Sequence, residues 1–225
     1  MSNIFISELK YYLENYFKKQ TQLNEEISDN FKRFSPEYAA VENEKLATKQ
    51  EEIYLETKRK IVDEFKEIRE LLARANFPDS KELTPDKMLF DSGIKFSSEE
   101  IKAFLSRYVS NHTMTRLIAD YLEKNGGNGE YADIQITTPR DILQGYKTFV
   151  TGAIDTVEKI HNGTVNELEL KSCADENFCK NLFDLVGDGF NLRDLSQKKV
   201  PESALHAFDD VQLIQPDANN YSVIA

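Results

Sequence analysis

The chain has 225 residues, 39 acidic against 28 basic side chains, a formal charge of −11 and 40% hydrophobic residues. That is apolar material enough for a core in one or two domains. The acidity argues against direct nucleic-acid binding and against binding to anionic membranes, because both need a basic face.

The N-terminal residues do not form a signal-peptide pattern, since Ile4, Phe5 and Ile6 are followed at once by Ser7, Glu8 and Lys10. A helix is expected from about Ser2 to Leu23. Phe5, Leu9, Tyr12, Leu13, Tyr16 and Phe17 line one side of it at helical spacing. The polar side is not strongly basic, so core packing is the expected use of that face, in preference to lying on a membrane. A linking segment is expected around Ile27 to Phe34.

The longest element comes next. No glycine or proline interrupts 37–77, and Glu, Lys, Gln, Ala and Leu dominate, all residues that lose little freedom in a helix. Ser35-Pro36-Glu37 is a start signal and Asn76-Phe77-Pro78 a stop. One helix over 36–77 follows, with a bend allowed near Ala47-Thr48, where periodicity is weak. Tyr54, Ile61, Phe65, Ile68, Leu72 and Ala75 form a heptad-like stripe. Tyr54, Ile61, Phe65, Ile68 and Leu72 are the candidate interaction residues, either against the rest of the chain or across a subunit interface. Opposite charges spaced for ion pairs, Glu56 with Lys60, Arg59 with Asp63, Lys66 with Glu70 and Glu70 with Arg74, read as solvated faces, as does Lys58-Arg59-Lys60.

Thr84-Pro85-Asp86 opens a short helical turn that Ser92-Gly93 closes. Ser97-Ser98-Glu99-Glu100 is a capping box for a helix to about Ser110, and Asn111 caps another that ends at Asn125-Gly126. Gly126-Gly127-Asn128-Gly129 is the strongest breaker in the chain. Tyr131 to Thr137 alternates like one short strand. Thr138-Pro139-Arg140-Asp141 opens a helix to about His161, with Ile142, Tyr146, Phe149, Val150, Ala153, Ile154, Val157 and Ile160 as its buried stripe. Val165 to Leu170 reads as strand or turn, Asp175 to Val186 as a helix, and Pro201 to Phe208 as a last short one.

The predicted fold is therefore mainly α, an elongated helical bundle with minor β content at most. The expected organisation is an elongated helical region over 1–125, a smaller acidic helical region over 126–200 and an acidic tail over 201–225. Residues 126–225 carry sixteen acids and eight bases, and no Lys or Arg follows Lys199.

Catalytic motifs fail on inspection. Glu158-Lys159-Ile160-His161 has the Glu-x-x-His spacing of di-iron bundles but lacks the second copy that such centres need. Asp184 to Gly189 resembles a calcium loop, but Val186 and Leu195 stand where ligands should be. Cys173 and Cys179 show no disulfide framework and no activating neighbour in sequence. No catalytic, cofactor-binding or metal-ligating residue is expected, and no cofactor. No run of eighteen apolar residues occurs, so a cytoplasmic protein without a transmembrane segment is expected. The function that fits best is a non-enzymatic helical structural or interaction protein, an assembly factor, scaffold or adaptor, acting through a protein partner or self-association. One alternative is an acidic decoy for a basic surface, carried by Asp175, Glu176, Asp184, Asp188 and Asp194. The other is an enzyme gathering His112 or His161 with carboxylates.

Overall fold

The computed structural model describes residues 4–108, 111–126, 129, 131–136, 138–164 and 199–213. Among them 76% are helical and none is in a strand, so the mainly-α expectation holds. The helices are α1 (Ile4–Arg33), α2 (Pro36–Asn76), α3 (Lys87–Asp91), α4 (Ser98–Arg107), α5 (His112–Asn125), α6 (Pro139–His161) and α7 (Glu202–Leu205), with a 3-10 turn at Ser80–Glu82. The expected elements at 165–170 and 175–186, the loop at 184–189, both cysteines and the five acidic residues of the decoy alternative lie outside the described residues.

Packing divides the chain into two units. One holds α1, α2 as far as Glu67 and α6 from Tyr146; the other runs from Ile68 to Gly145 and includes the described residues from Lys199 to Val211.

In the first unit α1 and α2 form an antiparallel hairpin. The turn is tight: the Ser35 side chain accepts from the Tyr38 N–H at 3.5 Å, and its carbonyl accepts from Ala39 N–H at 2.9 Å. Pro36 fits the first helical position because its missing N–H is not needed there. Register follows from cross-helix amides. Gln50 Nε2 donates to Asn24 Oδ1 at 2.8 Å, and Asn30 Nδ2 donates to Asn43 Oδ1 at 2.9 Å. These pairs explain a correction to the sequence reading. The expected linker Ile27–Phe34 is helical as far as Arg33, because polar residues, and not an apolar stripe, hold this end of α1 to its partner. α2 continues unbroken through Ala47-Thr48. At about 1.5 Å per residue its 41 residues span roughly 60 Å.

α6 packs antiparallel to α2 in the same unit. The rings of Phe65 and Tyr146 lie parallel at 6.2 Å near one end, and those of Tyr54 and His161 stack at 4.2 Å near the other. Leu9, Leu13, Tyr16, Ile61, Phe65, Tyr146, Val150 and Val157 are among the buried residues. Asn162-Gly163 ends α6 as expected. Gly163 takes φ +68, a left-handed conformation that suits glycine, and Thr164 N–H bonds back to the Lys159 carbonyl at 2.9 Å.

The second unit has an aromatic core made by Phe90, Phe96, Tyr108, Tyr121 and Tyr131 with Ile101, Met114 and Ile118. Its short helices begin where the caps predict. Ser97 and Glu100 form the full capping box, and the Asn111 side chain accepts from Met114 N–H. The segment 131–136, expected as strand, is turn and coil. Tyr131, Ile134 and Ile136 reach the aromatic core at a spacing of three and then two, and no second strand pairs with the segment among the described residues. Phe208 and Val211, beyond α7, are buried, and Asp209 pairs with Arg69 at 3.6 Å.

Candidate functional site

Four of the five candidate interaction residues are buried within the chain. Ile61 and Phe65 sit in the core of the first unit, and Ile68 and Leu72 are buried in the second. Tyr54 is half-buried against His161. The heptad-like stripe is thus core in this chain, and its apolar surface is already covered.

A polar group surrounds Tyr54. Lys58, expected on a solvated face, is only 5% exposed. Its ammonium donates to Glu158 Oε1 at 2.6 Å and to Tyr54 Oη at 3.1 Å, and lies 5.0 Å from the Tyr54 ring centre. Burial pulls this ammonium down, but the bonds to Glu158 and Tyr54 outweigh it and hold the group above its ordinary value. A lysine kept protonated is not a nucleophile, so Lys58 acts here as a buried cation that ties α6 to α2. His161 Nε2 lies 3.2 Å from Glu51 Oε2. The Glu-x-x-His pair therefore diverges onto two different partners on α2, Lys58 and Glu51. Among the described residues no three of His, Cys, Asp and Glu come together as metal ligands. The third histidine-bearing segment, around His206, pairs with Asp209 at 2.8 Å.

Exposed apolar side chains occur around α3, at Leu83, Met88, Leu89 and Ile94, and at the closed end of the α1–α2 hairpin, where aromatic residues dominate. Phe31 is 64% exposed, Phe34 44%, Tyr38 53% and Val41 52%. They are contiguous by geometry. Phe34 N–H bonds to the Asn30 carbonyl at 3.0 Å, so Phe34 still continues the α1 spiral one turn after Phe31. The Phe34 and Tyr38 rings meet edge to face at 4.9 Å across the turn, and Val41 follows Tyr38 one turn along α2. At the 150–250 Å² that an aromatic side chain can bury, the four leave on the order of 400 Å² in water. That is as large as the largest apolar patch of a typical monomer, which is often functional.

The charges around this end are one-sided. Residues 25–45 contain six acids and three bases. All three bases are already paired, Lys32 and Arg33 with Asp29 and Lys45 with Glu42. Glu25, Glu26, Glu37 and Glu44 are exposed and make no ion pair among the described residues. The sequence reading passed over this surface because it looked for one periodic stripe. The signal was a cluster of aromatic residues astride Ser35-Pro36, Phe31 and Phe34 before it and Tyr38 after it.

Among the described residues no helix is long and apolar enough to cross a membrane. A scan against protein-family models, a search of the curated proteins and a search of the solved structures each returned no match to this chain.

Proposed function

We propose that this chain is a non-enzymatic helical interaction protein, of the scaffold or adaptor kind, that binds a protein partner through the closed end of its α1–α2 hairpin. One observation carries the reading: Phe31, Phe34, Tyr38 and Val41 stay in water while the stripe on α2 is buried. Aromatic side chains on a stiff hairpin are good anchors, because they bring large area at little cost in side-chain entropy. The unpaired Glu25, Glu26, Glu37 and Glu44 favour a partner segment that flanks its apolar residues with Lys or Arg. They disfavour a second copy of this acidic chain on the same patch, since it would bring like charges.

The test is affinity capture from the native source with the wild-type chain and with the triple variant Phe31→Ser, Phe34→Ser, Tyr38→Ser. A partner retained by the wild type and lost by the folded triple variant supports the reading. A partner that both retain equally places binding elsewhere on the molecule and overturns it.

A further inference from the structure

Glu64 stands on the buried side of α2, three residues after Ile61, next to Phe65 and four before Ile68. It is 6% exposed, and both carboxyl oxygens are buried without a hydrogen-bond partner among the described residues. The Tyr146 phenol, on α6 in the same unit, is also buried without a hydrogen-bond partner among them. From α1, Glu8 and Tyr12 act on this site; from α2 itself, Glu67 and Lys60; from α6, Tyr146. Lys60 is the single base in that set, and it is engaged with Glu56 at 2.6 Å.

An ionised carboxylate in this position would lack solvent, donors and a counter-charge, and two further carboxylates would repel it. A protonated carboxyl avoids all of these except the lost hydrogen bonds. We propose that Glu64 is a proton-operated latch of the three-helix unit: its protonated form lets α1, α2 and α6 close together, and loss of the proton loosens them around Tyr12 and Tyr146.

Burial first, then repulsion from Glu8 and Glu67, pushes the Glu64 carboxyl up from an ordinary 4.5 to about 8. The folded chain therefore holds this proton more tightly than the unfolded chain does. The stabilisation is complete below pH 4.5 and is lost as the pH rises through about 8. A carboxylate held by a cation behaves in the opposite way. Glu56 beside Lys60 is lowered by its hydrogen bond to that lysine, so its small contribution disappears in acid. The window between pH 5 and pH 8 thus belongs to Glu64 among the carboxylates with shifted values. Opening there would uncover Ile61, Phe65, Tyr146 and Val150, now buried. The latch does not depend on the proposed partner surface at the other end of the hairpin.

The experiment uses the full chain. Urea unfolding is followed from pH 5 to pH 9 for the wild type and for Glu64→Gln, and the Glu64 carboxyl is titrated in the wild type by carbon-13 NMR. The expected result is a folding equilibrium constant that falls about tenfold per pH unit between pH 5 and pH 8 in the wild type, relative to Glu64→Gln. Glu64 itself should titrate near pH 8. The proposal is overturned if Glu64 titrates in the ordinary carboxylate range, or if the two proteins show the same pH slope. Should Glu64→Gln not fold, the wild-type titration alone decides between these outcomes.

Discussion

The two units differ in how far they satisfy their buried polar groups. In the second, each buried phenol is tied down. Tyr121 accepts from the Phe96 N–H and donates to the Ile94 carbonyl, both at 3.1 Å, and Tyr131 donates to the Phe96 carbonyl at 2.6 Å. Tyr108 donates to Asp86 at 2.6 Å, while Thr113 donates twice to the Glu82 carboxylate. In the first unit, the Glu64 carboxyl oxygens, the Tyr146 hydroxyl and His161 Nδ1 are buried without a hydrogen-bond partner among the described residues. The difference follows from architecture. Short helices joined by turns bring carbonyls and N–H groups to the core, where phenols can reach them. Long helices satisfy their own backbone, so a buried side chain there bonds only where it reaches a carbonyl already in a helix, as Thr57 reaches Ile53 and Gln20 reaches Gln50, or meets another side chain, as Lys58 meets Glu158. Arg69 Nε in the second unit is a local exception. A long-helix unit therefore relies mainly on apolar packing, and a polar residue on its buried face that meets no such partner stays costly or becomes a switch.

The largest expected effect is a test of that packing. Phe65→Ala removes a 2%-exposed ring from the first unit, and such truncations cost about 3–5 kcal/mol. Its melting temperature should drop by many degrees, equally in dilute and concentrated samples, because the ring is buried within the chain. A loss that grows on dilution would mean that the stripe also holds subunits together.

A matched pair of hydroxyl deletions sharpens the comparison. Tyr121→Phe strands the Phe96 N–H and the Ile94 carbonyl, at a cost of about 1–3 kcal/mol. Tyr146→Phe deletes a hydroxyl that bonds none of the described residues, so stability should stay level or rise slightly. Equal losses in chemical denaturation would erase the distinction between the units. Ser97→Ala removes the capping-box hydroxyl of α4 and should cost about 1 kcal/mol, read from the same curves. Glu56→Ala breaks an exposed pair on α2 and should move the midpoint hardly at all, within about 0.5 kcal/mol.

Much of the fold was legible because its boundaries are chemical. Ser35-Pro36, Ser97 with Glu100, Asn111 and Gly163 each satisfy or terminate a helix end through atoms within a few residues, so local reading finds them. The stripes of α2 and α6 were legible because burial repeats with the helix period. What failed depended on distant partners. The end of α1 is helical through Asn24 and Asn30, whose partners Gln50 and Asn43 lie on the next helix. Lys58 is buried because Glu158 comes to it from a hundred residues away. Residues 131–136 alternate in sequence like a strand, yet Tyr131, Ile134 and Ile136 reach the core from turn and coil, at a spacing of three and then two. Glu64 was visible in principle. It occupies the i+3 position between Ile61 and Ile68, on the stripe itself, but a count of apolar residues steps over it. The hairpin end had no legible function because exposure is decided by what the rest of the chain leaves uncovered.

The central claim is a division of labour along the α1–α2 hairpin, with Ile61 and Phe65 spent on the chain's own core and Phe34, Tyr38 and their neighbours left for a partner. Hydrogen–deuterium exchange of the captured complex against the free chain tests it most directly. The account predicts new protection in peptides spanning 27–45 and unchanged exchange around Ile61 and Phe65. Unchanged exchange over 27–45, with new protection elsewhere on the molecule, would contradict it.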